Sequence, residues 1–148
     1  MHMTYSREQS AGYVINLAGR LLIAALERRL TGGNAGPMPV FLALLEDSAL
    51  PQKELAQRAS VEQPTMANTL NRMERDGLIV RTPDPDDRRS LLIGLTPLGR
   101  QHAAQAMEAG AEVNALAFAD FTDEDRTQFF DLVGRIIVSA SNDPLAGR

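Results

Sequence analysis

The sequence predicts a mainly α-helical chain interrupted once by a small β-hairpin, and three observations carry that prediction. Apolar residues recur at helical spacing near both ends, as Val14, Leu17, Ala18, Leu21, Leu22, Ala25 and Leu26 and again as Phe129, Leu132, Val133, Ile136 and Ile137. Two short helical patterns in the middle are separated only by Ala59-Ser60-Val61. Two strand-like runs, Leu78-Ile79-Val80 and Leu91-Leu92-Ile93, flank a Pro- and Asp-rich turn from Pro83 to Asp87.

Taken in order, the first apolar stripe defines a helix that ends near Thr31-Gly32-Gly33, followed by a Gly- and Pro-rich loop to Pro39. Val40 to Leu45 reads as a short, fully buried helix, because almost every position is apolar. Pro51 opens a helix over Gln52 to Arg58 with Leu55 and Ala56 turned inward. The next helix has Pro64 in its first turn, Met66, Leu70 and Met73 as its buried row, and Gly77 as its stop. After the hairpin, Thr96-Pro97 supplies an N-cap and a proline at the first helical position, starting a long helix towards Phe118. Thr122 and Asp125 approximate a capping box for the last helix.

Composition narrows the function classes. The 148 residues carry a net charge of -4 and no Cys, which excludes disulfides, thiolate metal sites and cysteine nucleophiles. Only His2 and His102 are available as imidazoles; His2 carries no functional weight, and His102 reads as a helix-surface residue without metal-ligand neighbours. No glycine-rich phosphate loop or nucleophile–base pair appears, so no catalytic residue, cofactor or metal is expected. Neither a membrane span nor a signal peptide is apparent, and the expected setting is the cytoplasm. Charge is uneven: residues 1–52 are neutral, 53–100 sum to +1 and 101–148 to -5. A local cationic surface on an acidic body suits a confined nucleic-acid contact better than diffuse binding.

Two short helices joined by a tight turn and followed by a hairpin make a winged helix-turn-helix, the arrangement that offers one helix to a DNA major groove. The terminal helices are too apolar for so small a module to cover. Pairing them with the same helices of a second copy gives a homodimer and two reading heads on one duplex, hence a pseudo-palindromic site. The whole chain is expected to be one domain, with residues 38–96 as the DNA-binding lobe and 8–31 and 97–141 as dimerisation helices.

Nearly the whole chain resembles the MarR family of bacterial transcription regulators. The resemblance is most specific in Gln52-Lys53-Glu54-Leu55-Ala56, in Leu70 through Ile79 (LNRMERDGLI), and in Asp84-Pro85-Asp86-Asp87-Arg88-Arg89 through Leu95-Thr96-Pro97-Leu98-Gly99. It departs at Pro51, where the family often has Thr, and at Ser60, where Gly is common. The resemblance implies a dimeric winged-helix repressor, less often an activator, released from double-stranded DNA by a small aromatic or phenolic acid.

On the helix after Val61, Thr65, Asn68, Thr69 and Arg72 form the row opposite Met66, Leu70 and Met73. Arg can hold guanine, Asn can hold adenine, and a Thr methyl can touch thymine. Gln63 lies one step earlier, near bases or phosphates. The plain alternative for this face is simple solvation. At the wing, Arg88 and Arg89 can enter a narrow minor groove or neighbour phosphate. The family pattern implies that Asp87 orients Arg89; a surface ion pair of Asp86 or Asp87 with these arginines is the plain alternative, worth about 0–1 kcal/mol. Lys53 and Arg81 are candidate phosphate contacts. Arg75 suits either a helix C-terminus or DNA. The resemblance implies a ligand held between dimer helices and reading head, for which Tyr13, Asn16, Arg20, Met38 and Phe41 are the candidates. Arg20 would then meet a carboxylate, or else serve as a surface ion-pair residue. A protein-association module without a ligand would need none of Arg72, Arg88 and Arg89.

Overall fold

Ser10 caps the first long helix. Its hydroxyl accepts from the Tyr13 backbone N–H at 3.3 Å, after a single 3-10 turn over Arg7–Gln9. The computed structural model describes residues 5–147, so His2 lies outside the described residues. Helix α1 spans Ala11–Glu27 and stops short of the expected end at residue 31. Arg28 caps it, and Gly32 and Gly33 turn the chain at φ of +82° and +66°. Of the predicted stripe, Ala25 alone is buried, while Leu21 stays 62% exposed. Leu26 is half-buried, and Val14, Leu17, Ala18 and Leu22 stay exposed among the described residues.

The structure divides into two compact units, one ending at Val113 and one starting at Asn114. In the first, α2 (Met38–Glu46) begins after Pro37 and buries Val40, Phe41, Ala43 and Leu44. Leu42 and Leu45 are half exposed, which corrects the expectation of a fully buried helix; on a nine-residue helix a single core reaches one face only. The two-residue strand β1 (Leu50–Pro51) was not expected. It is too short to show a period, and Pro51, lacking an N–H, fits the sheet edge. Helices α3 (Gln52–Ala59) and α4 (Gln63–Arg75) are joined by Ser60 in the left-handed region, with the Val61 N–H donating to the Ala56 carbonyl at 3.0 Å.

Strands β2 (Ile79–Pro83) and β3 (Leu91–Leu95) form the hairpin, and β1 adds to β3 in the antiparallel order β1-β3-β2. Leu50 opposes Ile93, and Ile79 opposes Leu95. Pro83 thus ends a strand and the loop extends to Ser90, a longer wing tip than Pro83 to Asp87. The core is Val40, Leu55, Met66, Leu70, Met73 and Ile93, each essentially inaccessible.

Helix α5 (Pro97–Ala117) lies along this core on a row of small residues that includes Gly99, Ala103 and Ala106. Thr96 starts it: its hydroxyl accepts from Gly99 N–H at 3.0 Å and donates to the Gly77 carbonyl. A Cβ at Gly99 would fall 1.9 Å from the Leu78 carbonyl oxygen, so only glycine lets α5 approach the end of α4 this closely.

In the second unit, Thr122 and Asp125 complete the capping box of α6 (Asp123–Ser141) in both directions, at 3.1 and 2.9 Å. Phe118 stacks edge-on with Phe121 and Phe129 at 5.2 and 5.4 Å, and the Arg126 guanidinium lies 5.0 Å from the Phe118 ring centre. No residue of α6 is buried, and Ile137 is 61% exposed. Among the described residues, no helix is long and apolar enough to cross a membrane.

Candidate nucleic-acid interface

Packing decides which face of α4 is free. Met66, Leu70 and Met73 are sunk in the core, so the opposite row must face outward: Gln63, Thr65, Asn68 and Arg72 are exposed and Thr69 is half-buried. This face carries amide, hydroxyl and guanidinium groups in reach of one another along about two helical turns. Its hydrogen-bonding groups are largely uncommitted. Among the described residues, Gln63 alone in this row has a side-chain partner, the Gln52 amide at 3.4 Å.

The wing supplies the second cationic element. Arg88 and Arg89 are exposed at its tip, and among the described residues neither pairs with a carboxylate. Asp87 accepts from the Arg89 backbone N–H at 3.0 Å, and Asp84 accepts from the Asp86 N–H at 2.9 Å. Asp87 therefore meets Arg89 at its backbone N–H and not at its guanidinium, and the surface ion pair of Asp86 or Asp87 with these arginines is not formed among the described residues. A carboxylate two residues before an N–H closes a local turn more readily than it reaches a long, mobile guanidinium.

Arg81 is a further correction. Its guanidinium donates to Glu74 at 2.9 Å and to Asn71 at 3.1 Å, tying β2 to the last turns of α4. Only a fifth of its side chain is accessible, and in this chain it braces the wing root. Asn71 and Glu74 were not singled out from the sequence, because no periodicity marks a bond that spans a turn. Lys53 stands exposed and unpaired on α3 among the described residues. Arg58 is held firmly in its charged form, first by hydrogen bonding to Asp47 and then to Glu54, and so braces α3. Arg75 lies beside Asp76 at 3.4 Å with its side chain largely in solvent.

The expected ligand residues separate. Met38 and Phe41 line a cavity of about 370 Å³ in the first unit, together with Leu30, Leu78, Asp76 and His102. Tyr13, Asn16 and Arg20 do not line it; they stand exposed on α1. The apolar stripe that runs beside them on α1 is itself largely exposed in this chain. His102, expected on the helix surface, is half-buried in the cavity wall. Its position next to the buried Gly99-Ala103-Ala106 row was the available signal.

A family model described as the MarR family matches residues 42–91. The chain is 34% identical over 94 residues to the homoprotocatechuate degradative operon repressor of Escherichia coli; the match covers 64% of each, so the chain spans a little under two thirds of that relative. It is 30% identical over 98 residues to the transcriptional regulator HosA of Escherichia coli O111:H-, covering 66% of this chain and 73% of that protein. The fold superposes on a probable transcriptional regulator from Pseudomonas aeruginosa with a TM-score of 0.82 at 25% identity, covering 88% of this chain and 99% of the other.

Proposed function

The chain belongs to the MarR family, and on that premise we propose that it is a sequence-specific DNA-binding transcription regulator and not an enzyme. In this reading it is a cytoplasmic homodimer that represses by occupying a pseudo-palindromic operator and leaves it when a small aromatic compound binds. The observation that carries the reading is the polar row of α4, exposed opposite a fully buried Met66, Leu70 and Met73, with an unpaired pair of wing arginines beyond it. Residues held on a rigid helix and, apart from Gln63, without side-chain partners among the described residues match what base readout requires.

The roles follow from chemistry. Thr65, Asn68, Thr69 and Arg72 meet base edges, with Gln63 at the groove entrance. Arg88 and Arg89 meet the minor groove or its phosphates, and Lys53 a backbone phosphate. Asp87 fixes the wing-tip loop and Arg81 fixes the wing root. The similarity to the homoprotocatechuate degradative operon repressor supports both repression and a link to aromatic compounds.

Selection from a random duplex pool, followed by fluorescence anisotropy at two salt concentrations, tests this. The wild type should enrich a two-fold symmetric sequence and lose affinity steeply with salt. A variant combining Arg72→Ala, Arg88→Ala and Arg89→Ala that bound the enriched duplex as tightly as the wild type would overturn the assignment.

A further inference from the structure

The two helices of the helix-turn-helix begin with the same residue type, and the two side chains meet. Gln52 is the first residue of α3 and Gln63 the first of α4. The Gln52 amide donates from Nε2 to the Gln63 Oε1 at 3.4 Å. Their anchoring differs. Gln52 is half-buried and follows directly on β1, whose Leu50 and Pro51 pair with Ile93 and Leu92, so the sheet fixes where its side chain starts. Gln63 is exposed, and among the described residues it has no other side-chain partner.

An unsupported glutamine presents its oxygen and its NH2 group in either order, because its last torsion is broad and two-fold. Here the Gln63 oxygen is turned to Gln52, which leaves the NH2 group on the other side of the amide. One oxygen lone pair and both N–H groups of Gln63 then remain free. An acceptor beside a donor matches one base edge in the major groove, that of adenine, whose N6–H donates and whose N7 accepts. Guanine shows two acceptors there and sets one of them against the amide oxygen. Lys53 lines the same shallow depression as Gln63, so a cation suited to phosphate stands beside the amide.

We propose that Gln63 selects adenine at one position of each half-site, and that Gln52 acts through it as the positioning residue, holding the amide in the order that adenine fits. This rests on the reading of the chain as a sequence-specific DNA-binding regulator and deepens it: Gln63 moves from the groove entrance to a base edge, and α3 contributes to specificity without touching a base. A held amide also loses less side-chain freedom on docking than a free one, so removing Gln52 costs selectivity even though Gln63 stays.

The test uses the full chain and the duplex enriched by selection, read by fluorescence anisotropy at one salt concentration. Each adenine of the half-site is replaced in turn by guanine and by 7-deazaadenine, which lacks only the N7 acceptor. For the wild type, one adenine should respond to both, with affinity falling at least about tenfold for guanine and about fivefold for 7-deazaadenine. Gln63→Ala should remove both responses at that position and leave the other positions as they were. Gln52→Ala, and Gln52→Met, which keeps the length without a donor, should narrow the guanine response to within about threefold. In a Gln63→Ala background neither should have any further effect, whereas a residue that merely supports α3 would weaken every duplex in both backgrounds. Should Gln52→Ala not fold, Gln52→Met decides. No adenine response that depends on Gln63, equal weakening of all duplexes by Gln63→Ala, a wild-type guanine response in the Gln52 variants, or a Gln52 effect that persists without Gln63 each overturns the proposal; binding of the enriched duplex by the wild type then leaves the regulator reading standing. A wild type that enriches no duplex sinks that reading and the proposal with it.

Discussion

Ser60 has a positive φ of 51°, the one non-glycine residue among those described to do so. The turn between α3 and α4 needs a left-handed residue there, and a Cβ in that region costs about 1–2 kcal/mol. Glycine removes the clash but frees the unfolded chain, so the two effects partly cancel. Ser60→Gly is expected to raise stability by about 0.5–1 kcal/mol in urea denaturation, with duplex affinity unchanged; a loss of stability would mean that the serine side chain supplies a bond absent from this structure. On the proposed reading, Arg72 is the residue of the exposed row best suited to a bidentate base contact. Arg72→Ala should weaken the selected site by about 1–3 kcal/mol and relax preference at one position per half-site, as anisotropy on single-base variants of the duplex would read.

At the level of elements, α4 and the wing act as one body because Arg81 bridges β2 to Glu74 and Asn71. Among the described residues the wing tip has only local bonds: the Asp84 and Asp87 carboxylates accept from the Asp86 and Arg89 N–H groups, and backbone bonds link Asp84, Asp87 and Ser90. A contact made from that tip should add charge more than sequence information. Arg89→Ala is therefore expected to weaken all duplexes alike and to reduce the slope of log affinity against log salt by about 1. Sequence-selective loss in that variant would assign Arg89 to base readout. The helix-turn-helix and hairpin were readable because each announces itself by period, turn residue or stop: Met66, Leu70 and Met73 at helical spacing, Gly77 at the end. Strand β1 was not, since two residues have no period and its pairing with Ile93 and Leu92 is set by a segment forty residues away.

For the whole molecule, the exposed stripes of α1 and α6 are the features that this chain by itself leaves unsatisfied. Leu21 and Ile137 are each more than half exposed, so charging them should leave the monomer's fold intact. In a dimer built on these helices the same change buries a charge at an apolar contact. Leu21→Glu with Ile137→Glu is expected to shift the protein to monomer in light scattering after gel filtration, with near wild-type helicity, and to reduce affinity for the two-fold site at least about a hundredfold, the scale of a single interface hot spot and more. A variant that stays dimeric would move the interface elsewhere on the molecule.

The sequence by itself determined the element order, the buried row of α4 and hence its outward face, and the two unpartnered helical stripes, because all three follow from spacing along one chain. Tertiary structure alone decided what the long polar side chains do. Arg81 ties the wing root to Glu74 and Asn71, Asp87 meets Arg89 at its backbone N–H, and His102 sits in the cavity wall and not on the helix surface. Tyr13, Asn16 and Arg20 fell away from the cavity that Met38 and Phe41 line. Apolar residues are sorted by a non-directional burial that periodicity encodes, whereas a hydrogen bond needs its partner within about 3 Å, and that partner comes from whichever distant segment the fold brings alongside.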